Sequence, residues 1–409
     1  MPTQITRRAP ETVVFAGATA VALLHALDDA FTGRQPGVGF GQHLLAVFVS
    51  VLLGVGAVHL FPRVRPVART ALAFFLGSVA LVNGVLHIKH IDVQGVAGSD
   101  VTGVLAAVAG VALLALAAWI PWRHRGKGSW LGRVLAVPAS LIALLFVLMV
   151  GTGLTETHKF REPVGALPGA DYREVSFKAR DGVKLSGWYR PTRNGATVIA
   201  LHGGGGHRGG ALAHARMLAS HGYGVLLYDA RGRGRSEGVQ NSFGWGWAED
   251  IAGALTFLRG RPEVDPERIG GIGLSTGADA LIEARGTSGG LRAVVADGAA
   301  AESFEDWRRM QGINALTPFL AVEFATVRIT SGAHSGPPME DMIKRGTAPL
   351  LLVSGGREQE YDFNVLYDRV AGDHPVEHWN LPHVGHTAAL RQARAEYEKR
   401  VIAFLDAHM

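Results

Sequence analysis

The chain has 409 residues, enough for two domains and a sizeable core. Charged residues are only 18% of it, against about 25% in a typical globular domain, and the apolar excess lies in the first 155 residues. The net charge of +5 is modest and its basic residues are scattered, which argues against a nucleic-acid partner, while the lack of cysteine excludes disulfides, thiolate nucleophiles and Cys-ligated metals.

Five apolar stretches fill residues 1–155: Val13–Ala30, Leu44–Phe61, Val67–His87, Val101–Trp119 and Leu131–Val150. A helix needs about 20 apolar residues to cross the hydrocarbon of a bilayer, and the last four stretches meet that length. The first is shortened by Glu11 and Asp28, and with Arg7 and Arg8 ahead of it also fits a secretory signal. The spans that follow and the lack of a clear small-residue cleavage site favour a membrane helix. Trp119, Trp122 and Trp130 sit where headgroups are expected. Arg63, Arg65 and Arg69 follow the second stretch, and Arg123, Arg125, Lys127 and Arg133 follow the fourth. The loops near Arg34 and Lys89 are poorer in basic residues. The positive-inside rule then puts the two basic loops in the cytoplasm and the C-terminal domain outside the plasma membrane of a multi-pass protein.

His25, His43, His59, Asn83, His87 and His90 lie in or near these stretches. Intramembrane ionisable groups are functional candidates by default, and a histidine pair is able to hold haem or a metal. Their position near predicted span ends favours satisfaction by interfacial water instead.

Residues 156–171 carry charges, Pro163, Pro168 and several glycines, and read as a linker. The pattern then changes. Tyr172–Lys178 and Val183–Tyr189 alternate like strands around a turn at Asp181-Gly182. Short apolar runs follow at Thr197–Leu201, Gly224–Tyr228, Ile269–Leu274, Ala293–Ala296, Leu350–Val353 and Val376–Leu381. Helical stretches at Ala211–His221, Trp247–Leu258, Ala278–Ala284 and Thr387–Ala407 lie between or after them. Such alternation predicts a mostly parallel sheet covered on both faces, over residues 172–409.

Gly273-Leu274-Ser275-Thr276-Gly277 follows one predicted strand and opens a helix, the context in which Gly-x-Ser-x-Gly lifts a serine hydroxyl above a sheet. The pattern alone selects nothing, because it also occurs around Ser236, in an Arg/Gly loop, and around Ser288, ahead of a strand. The run His202-Gly203-Gly204-Gly205-Gly206 directly after Leu201 offers unsubstituted backbone for an oxyanion. The amides near Gly204 and of Thr276 are expected to form the hole, with His202 holding the loop. No Lys-Ser/Thr follows these glycines, so a nucleotide P-loop is not expected. His386, between the last strand and the last helix, is the expected base, with His383 as its rival and His374 and His378 behind. The acid is expected after Leu350–Val353, where Glu358 is chosen ahead of Glu360 and Asp362, with Asp297 as an outside candidate.

The domain from Tyr172 to Met409 resembles the α/β-hydrolase superfamily. Tyr228-Asp229-Ala230-Arg231-Gly232-Arg233-Gly234-Arg235-Ser236 is similar to the Asp-x-Arg-Gly-x-Gly-x-Ser stretch found after the fourth strand there, and serine, acid and histidine fall in the superfamily's order. Many relatives carry Asp where this chain has Glu358. The resemblance implies a helical lid over the serine, here about residues 299–347, whose Phe304, Trp307, Phe319 and Phe324 line an acyl pocket or pack the lid itself.

The expectation is a membrane-anchored serine hydrolase that cleaves an ester, thioester or amide through an acyl-enzyme at Ser275, without cofactor or metal. Its expected partners are a small-molecule or lipid-like acyl substrate and the bilayer. An acyltransferase on the same residues is the neighbouring alternative. A transport, redox or sensing membrane module with a non-catalytic hydrolase-like domain is the alternative from another class.

Overall fold

The computed structural model describes residues 9–32, 40–94, 96, 98–124, 142, 145–146, 148–157, 161–356 and 359–409. Trp130, Arg34, Arg125, Lys127, Arg133, Glu358 and most of the fifth apolar stretch lie outside the described residues. Contacts divide the chain into two units, the first ending at Leu154 and the second running from Thr155 to Met409.

The first unit is helical: α1 (Pro10–Thr32), α2 (Phe40–Leu60), α3 (Pro66–Gln94) and α4 (Asp100–Arg123). Three of its helical segments, Pro10–Asp29, Pro66–Asp92 and Asp100–Arg123, are long and apolar enough to cross a membrane. α3 and α4 meet through small residues. A Cβ on Gly84 would lie 2.5 Å from Ala107 N, and one on Gly110 would lie 2.5 Å from Leu81 N. Backbones this close are how helices associate where apolar side chains gain nothing by leaving lipid. The apolar seam at the other end of the unit holds Phe15 stacked on Phe61 at 3.9 Å, with Leu113, Leu116 and Ile120 beside them.

The second unit is built on one eight-stranded sheet: β1 (Arg173–Lys178), β2 (Lys184–Arg190), β3 (Thr197–Leu201), β4 (Gly224–Asp229), β5 (Ile269–Leu274), β6 (Val294–Asp297), β7 (Leu350–Gly355) and β8 (Val376–Leu381). Their order is β1-β2-β4-β3-β5-β6-β7-β8. β2 pairs antiparallel with β1 and β4, and the other pairings are parallel. β3, β4, β5 and β6 are buried throughout, which is why they read as unbroken apolar runs instead of alternating ones.

Between strands run α5 (Leu212–Ser220), α6 (Trp247–Arg259), α7 (Thr276–Thr287), α8 (Phe304–Gln311), α9 (Thr317–Ser331), α10 (Met339–Arg345) and α11 (Gln359–Ala371), with α12 (Ala389–Gln392) and α13 (Arg394–His408) last. α6, α7 and α11 cover one face through Trp247, Ile251, Leu281 and Phe363. α5 and α13 cover the other through Leu218, Tyr397, Val401 and Leu405.

Register lines up the strand ends that matter: Leu201 faces Gly273, Leu274 faces Asp297, Asp297 faces Val353, and Gly355 faces Leu381. The loops after β3, β5, β6, β7 and β8 therefore leave from one edge, the carboxyl end where open parallel sheets bind their ligands.

Candidate active site

Ser275 occupies a conformation few non-glycine residues adopt. Its φ of 54° and ψ of −127° place it at the β5–α7 junction, and only Thr387 shares a positive φ among the described non-glycine residues. Strain of this kind persists only where the surroundings impose it. Here the Ser275 N–H donates to Asp297 O at 2.8 Å, and its carbonyl accepts from Ala278 N at 2.6 Å. Its flanking glycines are steric necessities, since a Cβ on Gly273 would lie 2.2 Å from Gly277 O, and one on Gly277 would lie 2.5 Å from His202 O. Ser275 is half-buried at the start of α7.

The glycine run after β3 packs directly on this turn. A Cβ on Gly203 would sit 3.4 Å from Ser275 Cβ, and one on Gly204 would sit 2.6 Å from Thr276 Oγ1 and 2.5 Å from Ser242 O. His202 anchors the run. It is fully buried, its Nε2 accepts from Ala230 N at 3.1 Å, and its Nδ1 meets Gly203 O at 2.7 Å. Burial pushes its pKa down to about 4, so the ring is a neutral strut. Ser242, which no sequence signal marked, ties the pieces together. Its carbonyl accepts from Thr276 Oγ1 at 3.0 Å, and its N–H donates to Glu156 O at 3.1 Å.

His386 lies in the β8–α12 loop, and its Nδ1 is hydrogen-bonded to Glu360 Oε2. Glu360 stands in the first turn of α11, only 11% exposed, and its other oxygen accepts from Gly355 N at 2.6 Å. The hydrogen bond that Glu360 accepts, opposed by partial burial, holds the His386 pKa above its ordinary value. The ring reaches the neighbouring strand end, because a Cβ on Gly298 would lie 2.8 Å from His386 Cε1. Gly298 follows Asp297, whose carbonyl holds the Ser275 amide. Ser275 and His386 thus converge on the β5–β6 end of the sheet.

Glu358, chosen from the sequence, lies outside the described residues, and the carboxylate that meets His386 is Glu360, its runner-up. Asp297 is engaged elsewhere: its Oδ2 accepts from Tyr397 Oη at 2.8 Å, and burial pushes its pKa up to about 7. Asp279, on α7, is likewise pushed up to about 7 by burial and accepts from Ala300 N at 2.8 Å. Asp362 and His383 are exposed, and His378 Nε2 meets Ser354 Oγ at 2.8 Å.

The other two Gly-x-Ser-x-Gly matches are architectural. Ser236 is fully buried and donates to Asp229 O at 2.5 Å, while Ser288 caps the C-terminal end of α7. The Asp229 stretch is a brace: Arg208 donates to the Asp229 carboxylate from its backbone N and from Nε and Nη2, and Arg235 N adds a fourth bond at 2.8 Å. It thereby joins the end of β4 to the segment after the glycine run.

The chain is similar to several known proteins. Over 131 residues the chain is 32% identical to the uncharacterized protein YfhR of Escherichia coli K12, covering 30% of this chain and 45% of that protein. Over 115 residues it is 39% identical to the thiohydrolase aneE of Aspergillus aculeatus, covering 27% and 36%. The chain thus spans less than half the length of these curated relatives. A solved structure of the Pyrococcus furiosus esterase Pf2001 superposes with a TM-score of 0.50 at 25% identity, over 61% of this chain and 96% of that one. The family model described as X-Pro dipeptidyl-peptidase (S15 family) matches residues 169–396, more than half of the sequence. With this match over more than half of its length, the chain belongs to the S15 family of α/β-hydrolase-type hydrolases.

Proposed function

We propose that this protein is a membrane-anchored serine hydrolase with Ser275 as nucleophile, His386 as general base and Glu360 as the orienting acid. The substrate is an ester, thioester or amide. His386 takes the Ser275 Oγ proton as Oγ attacks the carbonyl carbon. The oxyanion that forms is held by the amides near Gly204 and of Thr276. As the tetrahedral species collapses, His386 returns the proton to the leaving group, and an acyl-enzyme remains. Water then attacks, giving its proton to His386, and the acid product leaves with Ser275 Oγ reprotonated.

The observation that carries this reading is the His386–Glu360 hydrogen bond at the sheet end that also carries the strained Ser275. Glu360 on Nδ1 fixes the tautomer that leaves Nε2 to receive a proton. The likeness to an esterase and to a thiohydrolase supports acyl chemistry in general. Residues 299–347, with α8, α9 and α10, act as the lid. Phe324 stacks on Phe243 at 4.6 Å, and Phe243 is flanked by Ser242 and Gly244, both against Thr276.

The apolar helices anchor the chain, with the basic loops inside and the hydrolase unit outside the cell. A fluorophosphonate probe is expected to label the full chain and not Ser275→Ala, and ester turnover should fall about 10⁴-fold or more in that variant. Equal labelling of a correctly folded Ser275→Ala protein sinks the assignment. Protease protection in intact cells tests the outward placement.

A further inference from the structure

We propose that the N-terminal helical unit carries a proton-binding site of its own, built from His25, Asp28, Asp29, His87, His90 and Asp100. It is independent of the hydrolytic reading. Interfacial water was the expected partner of these histidines, yet His87 and His90 bond to the Asp100 carboxylate, and His25 bonds to Thr102 and Asn83. Asp28 and Asp29 close the first candidate span, His87 and His90 lie near the end of the second, and Asp100 opens the third. One end of the α1–α3–α4 bundle therefore gathers all six groups.

The hydrogen bonds form two sets, which meet where the His87 ring touches the His25 ring. Asp100 Oδ1 meets His87 Nδ1 at 2.9 Å, and Oδ2 meets His90 Nδ1 at 2.7 Å. A carboxylate between two Nδ1 atoms makes both of them donors, so Nε2 is the atom of each ring that gains or loses a proton. His87 Nε2 stands 3.9 Å from Asp29 Oδ1, which itself accepts from Ser99 Oγ at 2.8 Å. The His87 ring meets the His25 ring edge-on at 4.7 Å. His25 Nδ1 meets Thr102 Oγ1 at 3.0 Å, and Thr102 Oγ1 donates to Asp28 Oδ2 at 2.5 Å. A hydroxyl placed between an imidazole and a carboxylate passes a proton by accepting one and donating another. Asn83 Nδ2, at 3.1 Å from His25 Nε2, closes the inner end.

Access is graded. The Asp29 side chain is 31% exposed, His90 12%, His87 5% and Asp100 2%, so protons from water arrive at Asp29 and His90 and move inward. Lys89 and Asp92, on the same helix as His87, are exposed. Among the described residues no group of three or more His, Asp or Glu side chains is placed to hold a metal.

The test is proton uptake by the full chain in nanodiscs between about pH 8 and about pH 5. Wild type is expected to take up about two or more protons per chain beyond the His25→Gln/His87→Gln/His90→Gln variant. Asp100→Asn is expected to keep the number and move the midpoint. Circular dichroism checks the fold, and if the triple variant fails it, His90→Gln, at the exposed end, should lose one proton. Equal uptake by wild type and the histidine variants overturns the proposal, because it means rings locked neutral as helix–helix glue. Stoichiometric bound zinc or iron that disappears in the variants overturns it in favour of a metal site.

Discussion

Glu360 acts on His386 through a single hydrogen bond, so its removal has a defined signature. In the proposed mechanism catalysis needs the neutral imidazole, and activity should therefore rise as pH rises through the His386 pKa, which the Glu360 hydrogen bond holds above its ordinary value. In Glu360→Gln the acidic limb of the kcat/KM profile should move to lower pH while kcat falls about 10³- to 10⁴-fold. A profile with neither change removes Glu360 from the site. Gly298 tests the placement of the ring itself. At φ 80°, with a Cβ bound to fall 2.8 Å from His386 Cε1, Gly298→Ala should displace the ring and lower kcat about 10²-fold. The circular dichroism spectrum should stay unchanged, and full activity in this variant would contradict the observed ring position. At this scale the sequence named Ser275, His386 and His202 as candidates. The carboxylate was harder, because distance along the chain cannot say which residue of a helical first turn faces a loop folded back from β8.

The elements around the serine depend on few contacts of large area. α9 is held by Phe324, which is buried, stacks on Phe243 and lies tilted against Trp245. Trp245 in turn donates from Nε1 to Glu302 O at 2.8 Å. Phe324→Ala should loosen this contact by about 3 kcal/mol. Limited proteolysis should then cut within residues 312–338 faster than in wild type, while the sheet stays intact, and an unchanged cleavage rate would show that α9 is held by something else. The helices of the insertion were legible only as a break in the strand–helix alternation. Their aromatic residues divide their roles by packing partner: Phe324 joins the loop over Thr276, whereas Trp307 packs on Phe363 of α11. No periodicity in the sequence distinguishes the two.

Across the hydrolase unit, buried titratable groups set how stability answers to pH. Asp279 and Asp297 have pKa values raised to about 7 by burial, so the folded unit holds protons that the unfolded chain releases above about pH 4. Each costs stability as pH rises through that window. His386, with its raised pKa, has the same sign: its contribution is complete below the unfolded value and lost as pH rises through the folded one. His202 and His214, pushed down to about 4 by burial, act oppositely, but only below the ordinary histidine range. The urea midpoint is therefore expected to fall between about pH 6.5 and about pH 8. A midpoint that rises toward pH 8 would mean that Asp279 and Asp297 are ionised in the folded unit.

The sequence by itself determined the two unlike halves, the order of strands and helices, the serine at a strand–helix turn and the glycines beside it. These are local properties: hydropathy over a span, periodicity over an element, and the steric demand of one turn. Only the tertiary structure decided that Glu360 meets His386, that Ser242 joins Thr276 to Glu156, that the Asp229 stretch is a brace, and that six ionisable groups meet at one end of the helical unit. Each of these depends on groups brought together from distant parts of the chain. Their meeting is fixed by sheet register and helix packing, which no window of neighbouring residues encodes.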